Sequence, residues 1–172
     1  MNEEITYLDI RAVKTPASDL NTVLTMERDN YNSRFVYSWS REEHLNAINH
    51  DNFLHLTIMH ANEDLVLGYL ILGGLTSPDK ALELMRVVID VKGKGYGRKT
   101  LRLVKKFCFE SLNYHRLWLD VFEDNAPALK LYSSEGFVRE GLLRECKRSP
   151  QGYRSMVIMS ILEREYLTEQ NK

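Results

Sequence analysis

Apolar residues recur along this chain at two spacings, and each predicts a different element. Leu20, Val23, Leu24 and Glu27 fall at helical intervals behind Ser18-Asp19, which predicts a capped helix running toward Asn30. Ser40, with Glu43 three residues on, has capping-box spacing and predicts a second helix. Gly97, Leu101, Val104, Cys108 and Leu112 form a core-facing stripe with cations opposite. Asn125 to Ser134 reads as a short helix ended by Gly136. Alternating or β-branched runs predict strands over Ile5 to Val13, Phe53 to His60, Leu65 to Leu72, Leu82 to Val91, Arg116 to Phe122, Phe137 to Leu143 and Tyr153 to Leu162. Ala61-Asn62-Glu63-Asp64 joins two of them as a hairpin, Thr76-Ser77-Pro78-Asp79 is a turn, and Tyr31 to Ser38 is an irregular, aromatic-rich connection. With no repeat, low-complexity tract or linker, the expectation is one mixed α/β domain over residues 1–172.

Composition narrows the function classes. With 44% hydrophobic and 27% charged residues the chain is an ordinary soluble globular protein able to bury a core. A net charge of −1 argues against nucleic-acid binding, which needs a field of cations. No run reaches the roughly 18 apolar residues of a membrane span. The acidic start Met1-Asn2-Glu3-Glu4 has no apolar stretch behind it, so no secretory leader is expected. Cys108 and Cys146 make no CxxC pair, and Cys108 lies on the helical stripe as a core residue; a cytoplasmic location is the expectation. His44, His50, His55 and His60 are never four residues apart, so no metal site is expected.

The segment from Val87 to Thr100 carries the chemistry. A β-branched run enters a loop with Gly93, Gly95 and Gly97 among Lys92, Lys94, Arg98 and Lys99, and a helix follows at once. Glycines let backbone approach closely, amides converge, and the helix start adds partial positive charge, which together suit a pyrophosphate. Arg102, Lys105 and Lys106 continue the basic cluster, the last two reading as a solvated helix face. A Walker A loop nearly fits Gly93 to Thr100, but Arg98 occupies the position of its second glycine and obstructs the wrap around phosphates. The dinucleotide fingerprint fits worse, because its third glycine is missing.

A different pattern accounts for more residues. Lys92-Gly93-Lys94-Gly95-Tyr96-Gly97 resembles the acyl-CoA pyrophosphate loop of the GNAT superfamily of N-acetyltransferases, with Lys92 where Arg or Gln is usual. Lysine keeps the charge there and loses the planar geometry. Downstream, Asn125, Ala128, Tyr132, Gly136 and Phe137 stand in register with the family's N-x-x-A-x-x-x-Y-x-x-x-G-F segment. The close resemblance covers about residues 82–143, and it looks most like the branch with ribosomal-protein and polyamine acetyltransferases. It implies an α/β (α+β) single-domain fold: a central, mostly antiparallel mixed sheet of six to seven strands, flanked by helices and splayed at the acyl-CoA site.

The resemblance also implies roles. Acetyl-CoA is the co-substrate and no metal is needed. Val88, Ile89 and Asp90 hold its pantetheine arm, the amides from Lys94 through Gly95, Tyr96, Gly97 and Arg98 to Lys99 hold the pyrophosphate, and Asn125 touches the arm. Tyr132 matches the tyrosine that protonates the CoA sulfur; a phenol near pKa 10 can protonate a thiolate whose acid lies near 8.5. Glu83 and Asp120 are the candidate bases, Glu83 slightly ahead, although either also fits as a strand carboxylate. Cys108, in a core stripe, is no acyl carrier, so direct transfer in a ternary complex is expected. Glu27, Asp29, Tyr31, Arg34, Phe35, Tyr37 and Trp39 are candidates for holding the acceptor by ionic and cation–π contacts; Phe35 and Trp39 fit equally as packing under the loop. The acceptor is a small-molecule amine or a protein N-terminus, with polyamines, amino acids and aminoglycoside-like compounds all open. The rival function is a non-catalytic acyl-CoA-binding module. Tyr153 to Leu162, as a closing strand, is a candidate for pairing across a homodimer.

Overall fold

The computed structural model describes residues 4–170. The first predicted strand is two: β1 (Glu4–Tyr7) and β2 (Ile10–Lys14) form a hairpin, because Leu8 takes a left-handed φ of 53° and Tyr7 pairs with Ile10. That division raises the sheet to eight strands instead of six or seven. A 3-10 turn, Ala17–Asp19, leads into α1 (Leu20–Arg28). Ser18 spends its hydroxyl on Asp19 Oδ1 (2.9 Å), and Asp19 makes no side-chain cap, so the helix starts by the preceding turn rather than by the expected cap. The capping box of α2 (Arg41–Asn49) is present: Ser40 Oγ accepts from the Glu43 amide and Glu43 Oε2 accepts from the Ser40 amide (2.6 Å).

The remaining elements are β3 (Phe53–His60), β4 (Val66–Gly73), β5 (Ala81–Ile89), α3 (Tyr96–Lys106), β6 (Arg116–Phe122), α4 (Ala126–Ser134), β7 (Val138–Ser149), β8 (Gly152–Leu162) and α5 (Glu163–Gln170). A π-helical turn, Phe107–Ser111, extends α3. The sequence reading missed α5, since no Gly or Pro separates it from β8; Tyr166 anchors it by stacking on Phe109 at 5.0 Å.

The strand order is β1-β2-β3-β4-β5-β6-β8-β7, antiparallel throughout except for β5 beside β6. Alternation along the strands supplies two apolar faces. One, with Leu70, Leu84, Leu119 and Val157, packs on Leu101 and Val104 of α3 and on Cys108 of the π-helical turn that follows it. The other, with Tyr69, Ile71 and Val88, packs on Leu20, Val23 and Met26 of α1. Each such fully buried aliphatic side chain contributes about 1.5–3 kcal/mol. Gly68 of β4 permits a close approach: a Cβ there would stand 2.1 Å from the Val88 carbonyl oxygen.

Two expectations are corrected by this packing. Lys105 is buried, not solvated: its Nζ donates to the Glu135 carbonyl (2.8 Å), and the buried Glu135 carboxylate also draws in Arg98 and Arg102 from α3. β8 is an inner strand, pairing with β6 over Met156–Leu162 and with β7 over Gly152–Ser160, rather than an edge strand free to pair across a dimer; the outer strand on that side is β7.

The sheet opens at its centre. β5 and β6 pair only through Ala81↔Arg116, Leu82↔Leu117 and Glu83↔Trp118. A register shift in the β4–β5 ladder, where Met85 is bulged between Leu84 and Arg86, stands at the point of parting. Bulges of this kind bend and twist a strand.

Candidate active site

A cleft of about 710 Å³ fills the gap between the parted strands, running from the glycine loop to the Tyr31–Tyr37 connection. At the loop end, Gly93 and Gly95 have φ of 75° and 77°, and a Cβ on either would point into open space. Gly95 is the N-cap of α3, and the Lys99 amide donates back to its carbonyl (3.2 Å). The amides of Tyr96, Gly97 and Arg98 precede that bond and are left free at the helix start, where the dipole favours an anion. Beyond Glu83 the β5 edge toward β6 has no strand partner, so its backbone groups are available to an extended ligand. Loop and edge together fit the pyrophosphate and amide-bearing arm of an acyl-CoA.

The candidate cofactor residues divide. Val88, Ile89, Gly95, Tyr96, Gly97, Arg98 and Asn125 line the cleft, as does Lys92. Asn125 also caps α4, its Oδ1 accepting from the Ala128 amide at 3.3 Å. Asp90 and Lys94 are exposed and lie outside the lining. Lys99 turns away to Asp9 (2.7 Å), across the Tyr96 ring, which also removes the cation a P-loop would aim at phosphate.

Deeper in the cleft, the charge of Asp120 acts on both Glu83 and Tyr132. Burial, then the charge of Asp120, pushes Glu83 up to about 6, with Lys147 opposing. Burial raises Asp120, again against Lys147. Burial and then Asp120 push the Tyr132 hydroxyl up to about 12. Asp120 and Tyr132 line the cleft; Glu83 is half-buried outside the lining. A carboxylate poised near neutrality and a phenol kept protonated are suited to taking and giving a proton. Cys108 is buried and its thiol pushed up to about 12, which suits a core residue.

The candidate acceptor residues also separate. Tyr31, Phe35 and Tyr37 line the cleft. Glu27 and Trp39 do not: Glu27 lies on the buried stripe of α1, fully enclosed. Its carboxylate accepts from Tyr69 Oη, from Arg86 Nη1 (2.7 Å) and from the Trp39 amide (3.0 Å), with His44 Nε2 at 3.4 Å. The Trp39 ring carries the Arg86 guanidinium at 4.5 Å. Asp29 is occupied by the amides of Tyr31 (2.9 Å) and Asn32 (3.3 Å), and Arg34 lies over Phe35.

Sequence reasoning missed Arg86, Phe122 and Lys147, all on the lining. Arg86 was visible as a cation inside an apolar strand. Lys147 lay beyond the expected strand end at Leu143, and nothing in the sequence brings it to Asp120. Among the described residues no helix is long and apolar enough to cross a membrane.

Comparison with known proteins agrees with this geometry. Residues 20–137 match the profile described as "Acetyltransferase (GNAT) family". An uncharacterized N-acetyltransferase, p20, of Bacillus licheniformis is 34% identical over 74 residues, 43% of this chain and 42% of p20. The chain thus matches less than half the length of p20. Spermidine N(1)-acetyltransferase of Vibrio cholerae is 28% identical over 127 residues, 73% of each chain. A crystal structure of spermidine N-acetyltransferase from Vibrio cholerae, in complex with CoA and spermine, superposes with a TM-score of 0.81 at 23% identity, covering 92% of this chain and 98% of that one. The profile spans well over half the chain, across the glycine loop, the parted strands and α4: the protein belongs to the GNAT acetyltransferase family.

Proposed function

We propose that this single-domain protein transfers acetyl from acetyl-CoA to the primary amine of a small molecule, directly, with both substrates bound together. The observation that carries the reading is the gathering of Glu83, Asp120 and Tyr132 where β5 and β6 part, at the end of a cleft that begins at the glycine loop. Amides at the start of α3 hold the pyrophosphate, the open edge of β5 at Val88 and Ile89 holds the arm, and Asn125 supports it from α4. One β5 amide faces the thioester oxygen as charge develops there. Glu83, acting through or beside Asp120, takes the ammonium proton. The neutral amine then attacks the thioester carbonyl, the C–S bond breaks, Tyr132 gives its proton to the departing thiolate, and the second proton lost by the nitrogen as the amide forms restores the Tyr132 hydroxyl. The same reading makes the protein cytoplasmic.

The relatives named for spermidine favour a small amine over a protein N-terminus. The test is incubation with acetyl-CoA and an amine panel, read by free CoA and by product mass. Amine-dependent CoA release with a matching acetylated product supports the reading. Tight acetyl-CoA binding without transfer to any amine would make the protein a binding module.

A further inference from the structure

The geometry points to an acceptor bearing a single positive charge and an apolar or aromatic body, rather than to a polyamine. The inference rests on the acetyltransferase reading and narrows it. A polyamine needs a second site for its second ammonium, either a carboxylate or an uncovered aromatic face. Among the described residues of the lining, Asp120 is the acid, with Glu83 outside the lining on the last rung that β5 shares with β6; the basic residues are Arg86, Lys92, Arg98 and Lys147.

Pairing decides what charge is left. Arg86 is matched by Glu27. Arg154, just outside the lining, is matched by Asp124 at 2.6 Å. Lys92, where the glycine loop meets Tyr31, has the charges of Asp90 and Asp29 beside it, and Arg98 is matched by Glu135. At the acceptor end that leaves two carboxylates against Lys147, one negative charge in all, enough for one ammonium. Lys147 and Arg154 are directly opposite in the β7–β8 ladder, so both side chains stand on the same face and make that wall cationic.

Of the aromatic rings lining this end, Tyr31, Phe35 and Phe122 already carry a cation, and Tyr37 packs on Phe122 at 5.2 Å. Lys92 lies 4.7 Å from the Tyr31 ring centre, Arg154 lies 3.6 Å from Phe122 and 5.9 Å from Phe35, and Arg34 lies 5.5 Å from Phe35. Tyr31, Phe35 and Phe122 therefore each offer an edge or a remaining face to an apolar group, and each already carries a cation. A second ammonium entering here meets like charge, which is costly at close range.

The test compares phenethylamine and tryptamine with spermidine and spermine on the CoA-loaded protein. Calorimetry gives affinities, and CoA release with product mass gives kcat/KM. We expect the aromatic monoamines to be favoured by about tenfold or more. Lys147→Glu should narrow or reverse that ratio by raising the affinity for spermidine. Spermidine binding as well as or better than the monoamines, or binding of neither class, would overturn the inference. Turnover is scored separately: monoamine binding without turnover sinks the acetyltransferase reading and leaves the charge argument standing, whereas preferred turnover of spermidine does the reverse.

Discussion

Glu83 stands opposite Trp118 in the last rung that β5 and β6 share, and Asp120, two residues further along β6, faces it across the start of the gap. The parting of the strands therefore begins at a pair of carboxylates. Burial makes each harder to ionise, and the charge of Asp120 adds to it at Glu83, which is pushed up to about 6.

The pH dependence follows. If Glu83 must be ionised to take the ammonium proton, kcat/KM falls as pH drops through about 6. Asp120→Asn removes the negative neighbour that raises Glu83, so the acid limb moves to lower pH. Glu83→Gln should abolish the limb and slow transfer by about 10²–10⁴-fold. A limb that persists unchanged in Glu83→Gln assigns it to another group.

Tyr132→Phe removes the proposed proton donor and little else, since the ring stays packed on Phe137. The expected result is a fall in kcat of about 10²–10⁴-fold with acetyl-CoA affinity unchanged. Stopped-flow transfer rates and calorimetry separate the two quantities. A wild-type rate removes Tyr132 from the mechanism.

Glu27 is a fold residue rather than an acceptor contact. Burial opposes its ionisation, but the His44 imidazole 3.4 Å away, the hydrogen bond from Tyr69 and the Arg86 charge outweigh it and hold its carboxyl below the usual range. A lowered pKa contributes stability above the unfolded value near 4.5, and that stability is lost as pH falls through the folded one. Glu27→Ala leaves Arg86 buried without its partner and should cost about 3–5 kcal/mol, read from urea unfolding. A loss below about 1 kcal/mol would contradict this assignment.

Gly95→Ala tests the loop. With φ at 77° and open space around the new Cβ, the cost is conformational, about 1–2 kcal/mol. Tm should fall by about 2–8 °C, and acetyl-CoA affinity should fall with it, because Gly95 starts the helix whose amides form the anion site.

Much of this architecture was readable in the sequence because local chemistry and tertiary packing agree. The Ser40–Glu43 box, the α3 stripe and the β6 boundaries all obey short-range rules. The misreadings occurred where a distant partner decides. Leu8 reverses the chain in a conformation no propensity rule favours. Lys105 is buried because Glu135, thirty positions on, is buried beside it. Glu27 looks like an ammonium contact among aromatics until Tyr69 and Arg86, on strands far along the chain, close over it. Lys147 reaches Asp120 only because β8 inserts between β6 and β7.

The most direct test of the central claim is a transfer assay with acetyl-CoA labelled in the acetyl group, comparing wild type with Tyr132→Phe at saturating amine. The account predicts stoichiometric free CoA and labelled N-acetyl amine from wild type, with a strongly slowed rate and normal acetyl-CoA binding in the variant. Acetyl-CoA bound by both proteins with no labelled amine from either would contradict it.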